Sequence, residues 1–229
     1  MHESRARWAW VGLGAQVLFT AYWLVAPLWQ GAGYSVLAHS ISDMYAVTAP
    51  AGAGMVVVLT LCGAATIAFV ILALLPSLRP AGWPATLGCA LLALSIFGLG
   101  DLLTPFERLA CRLADPGCTS TSQLANAGGQ LDGTLSTIGV ALLLAGGCFT
   151  AAAMLRLPGW KPLATTVFAL CGVLVVVFVL LAVVPAAYGG AAERLLALAG
   201  AALLGVTATL VLRLERAPNP RLLLPAGPS

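Results

Sequence analysis

The chain has 229 residues, of which 60% are hydrophobic and only 8% charged, and it carries a net charge of +3. Its mean hydropathy is +0.99. A soluble domain needs roughly a quarter charged residues to cover its surface, so this composition excludes one.

The length divides instead by the ~20 apolar residues that a helix needs to cross ~30 Å of hydrocarbon. Residues 1–7 form a short polar N-terminus. The first apolar stretch, Trp8–Trp29, follows Arg5 and Arg7 as a signal peptide would. It outruns a 7–15-residue signal core and no Ala-x-Ala site follows closely, so it reads as a retained span. After a loop of about residues 30–53 come Gly54–Leu75 and Trp83–Leu103, joined by a short turn. A second long loop, about residues 104–132, leads to Gly133–Leu155. Leu163–Val184 and Glu193–Leu212 complete six spans. Residues 214–229, with four prolines and no periodicity, read as a disordered tail.

Prolines 50, 76, 84, 105, 158, 162 and 185 fall at the ends of these stretches. They suit the first turn of a helix or the position just past its end, because proline lacks the N–H of an interior residue. The stretches do not alternate in polarity as barrel strands would. The sequence therefore predicts an all-α fold: a polytopic transmembrane bundle of six helices occupying residues 8–213 as one domain. Glycines within the spans, such as Gly12, Gly139 and Gly200, allow close helix approach.

Charge sets the orientation, because basic residues of short loops stay cytoplasmic. With the N-terminus inside, Arg5, Arg7, Arg79, Arg156, Lys161, Arg213, Arg216 and Arg221 fall on the cytoplasmic side. Arg108, Arg112 and Arg194 fall outside, with most of the acids: Asp43, Asp101, Glu107, Asp115, Asp132 and Glu193. Both termini are thus expected in the cytoplasm and the protein in the cell (inner, cytoplasmic) membrane. Topology accounts for the positive charge, and nothing supports a nucleic-acid partner.

Of the six cysteines, Cys62, Cys89, Cys148 and Cys171 sit in apolar stretches and read as small buried residues. Cys111 and Cys118 share the second long loop across the turn Asp115-Pro116-Gly117. On the outer, oxidising side this pair is expected to form a disulfide. Two free thiols are the alternative.

Candidate functional residues gather at the outer ends of the spans. In Tyr34–Pro50, His39 and Asp43 are four apart and can touch on one helical face. They read as acid/base partners or ligands with Ser42 beside them; equally, Ser40-x-x-Asp43 is a capping-box start. Asp132, with Gln130 nearby, sits where a helix-capping carboxylate would. Asp101 lies near the C-terminal end of its span, where the helix dipole disfavours an anion. It calls for an arginine partner (Arg108, Arg112 or Arg194) or serves as a proton-carrying or ligand-binding acid. His39, Asp43, Asp101 and Asp132 could offer metal ligands. The only other histidine, His2, is at the opposite end, and zinc hydrolase sites usually use more than one, so no metal or other cofactor is expected.

Ile41-Ser42-Asp43-Met44-Tyr45, Asp101 at the end of the third span, and the polar start of the fourth resemble a bacterial membrane family. It is the one labelled "domain of unknown function 998". The resemblance covers about residues 8–212 and implies a six-helix fold with an important external polar cluster. It supplies no reaction. Members often carry a histidine near the start of the fourth helix, where this chain has Gln130 and Asp132, so a histidine-dependent activity is not carried over.

No motif names an enzyme class. Acids flanked by apolar walls suit a pocket for a lipid or other amphiphile, with Asp101, Asp43, His39 and Asp132 as chemical groups and Ser42, Gln130, Arg108 and Arg194 as binding groups. The other readings are an accessory subunit packed on a membrane protein partner and a small-solute or proton-coupled transporter. The uncharged centres of spans one, two, five and six count against the transporter.

Overall fold

A computed structural model describes residues 2–215; the rest of the expected tail, with Arg216 and Arg221, lies outside the described residues. Six helical segments are long and apolar enough to cross a membrane, and no strand occurs among the described residues. Their main α-helices are α1 (His2–Val25), α2 (Gly52–Phe69), α3 (Trp83–Leu94), α4 (Ala127–Leu155), α5 (Lys161–Val183) and α6 (Gly189–Glu215); the second and third spans run on through further helical turns to Ala81 and Phe106. Each packs against the next, and α6 closes the ring against α1. The start of α1 and the end of α6 meet at one face, where Arg5 pairs with Glu215 at 3.6 Å. Leu214 and Glu215, expected in the tail, continue α6.

Proline and serine shape the less regular spans. Pro76 was expected to end the second span, yet helix continues through Leu75–Leu78. A π turn at Val70–Leu74, with Leu75 N–H bonded to Val70 O, widens the backbone just before it. A proline ring otherwise collides with the carbonyl four residues back, and the wider turn eases that collision.

In α3 the regular helix stops at Ser95, whose ψ is 176°. Its hydroxyl donates to Leu92 O at 2.7 Å. Gly98 and Gly100 N–H both donate to Ser95 O, at 3.1 and 3.2 Å. A Cβ at Gly98 would stand 2.2 Å from Ala93 O, so only glycine permits this fold-back. The chain resumes as a π turn, Ile96–Gly100, and a short α turn, Asp101–Leu103.

α4 begins six residues earlier than its apolar run, at Ala127, because Asn126 caps it by accepting from Gly129 N at 2.7 Å. Asp132 therefore sits inside the helix and is not its cap.

The core is made by close contacts around α6. Phe97 meets Phe19 edge to face at 5.1 Å, and its ring lies where a Cβ on Gly200 would be, 2.3 Å away. Valines and leucines of α5, among them Val176, Val179 and Val183, are exposed. In a bilayer that apolar face is covered by lipid chains.

At the face opposite the termini, the two long loops interlock. Val47 N–H donates to Leu109 O at 2.9 Å. Arg108 donates to Tyr45 O and Ala46 O, both at 2.9 Å. Arg112 pairs with Asp115 and donates to Gln30 O at 2.8 Å. Cys111 and Cys118 are at disulfide distance, with Cα atoms 6.1 Å apart. The expected helix in Tyr34–Pro50 shrinks to one 3-10 turn, Ser42–Tyr45.

Candidate functional site

Beneath the interlocked loops lies a cavity of about 310 Å³ to which all six spans or their loops contribute. Most of its wall is apolar, including Phe19, Leu59, Phe97, Leu143, Phe178 and Leu196. Its polar groups are Ser42, Tyr45, Asp101, Asp132, Ser136, Thr137 and Glu193.

The break in α3 delivers Asp101 to this wall. The residue is 8% exposed, and among the described residues no group donates to its carboxylate or pairs with it. The expected arginine partner is absent because every candidate is used elsewhere. Arg108 and Arg112 hold the loops. Arg194, at the start of α6, donates through Nη1 to Val36 O, His39 O and Gly190 O at 2.8–2.9 Å. Its Nη2 donates to the Tyr34 hydroxyl at 2.6 Å.

Asp132 lies opposite, with Oδ1 accepting from the Tyr45 hydroxyl at 2.8 Å. Burial pushes the Tyr45 phenol well above its ordinary range, reinforced by the charge of Asp132, by that hydrogen bond, and by the charges of Glu107 and Glu193. Tyr45 thus stays a donor and holds Asp132 in place. Glu193 Oε1 accepts from Ile41 N at 3.2 Å. Glu107 is 3% exposed with Oε1 unpartnered. Burial and the charge of Asp132 push its carboxyl up to about 8.

Apart from Ser42, the other candidates stand away from the cavity wall. Asp43 is fully buried and accepts from Ser40 N (3.2 Å), Leu113 N (3.0 Å) and Gln123 Nε2 (2.7 Å), tying one loop to the other. With Asp43 N donating to Ser40 Oγ at 3.1 Å, the capping-box reading is the one the backbone adopts. No hydrogen bond joins His39 to Asp43. His39 Nδ1 accepts from Ser35 N at 2.9 Å, and its ring packs on Tyr34, centroids 5.3 Å apart. Gln130 is exposed on the outside of α4 and donates to Leu124 O at 3.4 Å. Ser42 lines the cavity and shares a hydrogen bond with Ser40.

Sequence reasoning left out Tyr45, Glu107 and Glu193 as site residues. Glu193 at a helix start looks like an ordinary dipole-stabilising acid, and Tyr45 looks like an interfacial aromatic. The Tyr45–Asp132 bond, 87 positions apart, reveals Tyr45; the cavity lining reveals Glu193; and burial of an unpartnered oxygen reveals Glu107.

Six apolar spans make this a multi-pass integral membrane protein. Compared with protein families, curated proteins and solved structures, the chain matches none.

Proposed function

We propose that this protein binds a lipid or another amphiphile in the cavity under the loops. Asp101 engages the polar end of the ligand, and the apolar walls take up the first part of its tail. We place the cavity on the outer side of the cell membrane, because Arg79, Arg156 and Lys161 mark the opposite face as cytoplasmic. The observation that carries the reading is Asp101 itself. A carboxyl more than nine-tenths buried and without a protein partner is costly, and on a cavity wall a ligand can supply the missing partner. Should the bound molecule be processed, Asp101 and the Tyr45–Asp132 pair are the groups within reach for proton transfer.

Native mass spectrometry of the detergent-extracted protein tests this. Wild type should carry a co-purified amphiphile, and D101A should lose it while keeping its melting temperature. Wild type free of any amphiphile, or D101A with the same bound complement, overturns the proposal.

One observation favours a second reading, a carrier. α3 is interrupted at Ser95, shortly before Asp101, and carriers often place their ionisable residues on broken helices. Solute uptake by reconstituted vesicles that is lost in D101N would support it.

A further inference from the structure

We infer that the polar end this cavity receives is an ammonium group; the inference rests on the amphiphile reading above and names the chemistry of its ligand. Asp101, Asp132 and Glu193 come from three different spans to this one cavity, and among the described residues no lysine or arginine lines it. Arg108 and Arg194 are anchored on backbone carbonyls and, for Arg194, a phenol, and neither belongs to the lining. A phosphate or carboxylate headgroup would therefore face three acids with no cation in the lining among the described residues.

The oxygens are also poised as acceptors. Asp132 and Glu193 each use one oxygen within the protein. Their other oxygens, and both of Asp101, have no donor among the described residues. An ammonium brings three donors and no acceptor, the complement of this set. Among the described residues no three acid, histidine or cysteine groups converge as a metal shell would require. An ammonium that pairs with one carboxylate, Asp101, and leaves its other N–H bonds to water or hydroxyls needs no such convergence.

The aromatic wall adds to the match. Phe19, Phe97, Phe178 and Tyr45 line the same space, and ring faces attract ammonium groups. The volume, about 310 Å³, is at the small end for ligand pockets. It holds a headgroup and a few carbons. A longer tail leaves between α4 and α5, where Thr137 and Phe178 belong to the wall and are also exposed on the flank of the bundle.

A matched series of dodecylamine, dodecanol and dodecanoate separates the outcomes, read by native mass spectrometry and thermal shift in a non-ionic detergent. Dodecylamine should bind at least about tenfold more tightly than dodecanol, with dodecanoate weakest. D101N should reduce the amine preference over dodecanol to about twofold or less. Because one variant could fail to fold, D132N and E193Q are measured beside it. Equal binding of amine and alcohol, or an amine preference that survives in all three variants, overturns the ammonium assignment while amphiphile binding stands. Binding of none of the three probes overturns the amphiphile reading itself.

Discussion

Replacing Arg194 with methionine should loosen the outer cap of the bundle. One guanidinium, 6% exposed, supplies donors to three backbone carbonyls and to the Tyr34 hydroxyl. It also lies about 6 Å from the rings of Trp23 and Tyr34. Methionine fills much of the volume but donates nothing, so the Val36, His39 and Gly190 carbonyls lose their side-chain donor. Hydrogen bonds to a charged group contribute about 1.5–3 kcal/mol each and do not add in full, which gives a loss of about 3–5 kcal/mol. For a chain of this size, about 2–4 °C accompanies each kcal/mol, so the melting temperature should fall by roughly 6–20 °C. Lysine is charged but cannot fork between partners, and R194K should recover only part of the loss. Thermal unfolding in detergent gives the shift. Limited chymotrypsin digestion at Tyr34 and Leu37 reports whether the first loop has come free. An R194M protein that melts within about 1 °C of wild type and resists cleavage equally would refute the role given to this residue.

Glu107 should make stability depend on pH. The folded protein keeps its proton up to about 8, whereas the ordinary value is 4.5. Its contribution is therefore complete below about 4.5 and is lost as pH rises towards 8, with a slope approaching ~1.4 kcal/mol per pH unit. In E107Q, unfolding measured from pH 5 to 8 should show a flatter curve and higher stability at the alkaline end. Gly63→Ala should destabilise by about 1–3 kcal/mol, since its Cβ would stand 2.4 Å from Leu102 N, a backbone atom. Gly14→Ala, with nothing within 4 Å of the added carbon, should melt like wild type. Reduction of Cys111–Cys118, or C111S/C118S, should cost about 2.5 kcal/mol by the loop-entropy relation. A thiol-reactive probe that labels both cysteines in the unreduced, folded protein would refute the bridge.

The spans, their number and their approximate limits were legible in the sequence because each depends only on its own residues. Twenty apolar positions in a row cannot be solvated, and prolines such as Pro84 and Pro162 mark where helix begins, Pro76 being the exception. The Cys111–Cys118 pairing was equally local, since seven positions and one turn bring the two thiols together. Asp101 stood out for the same kind of reason: an anion at a helix C-terminus needs an explanation that its own helix cannot give.

What the acids do was decided by contacts between distant parts of the chain. Asp43 and His39 share a sequence window with Ser42, yet the first is consumed by Leu113 and Gln123 and the second by Ser35 and Tyr34. Glu193 and Tyr45 reach the cavity because α6 and a loop fold over Asp132. Asp101 remains without a partner among the described residues because three arginines find backbone carbonyls or a nearer acid first. Hydrophobicity is a property of a segment, and so it can be read along the chain. The partner of a buried charge is settled by which donors the packed helices and interlocked loops bring within about 3 Å, and only the tertiary structure fixes that.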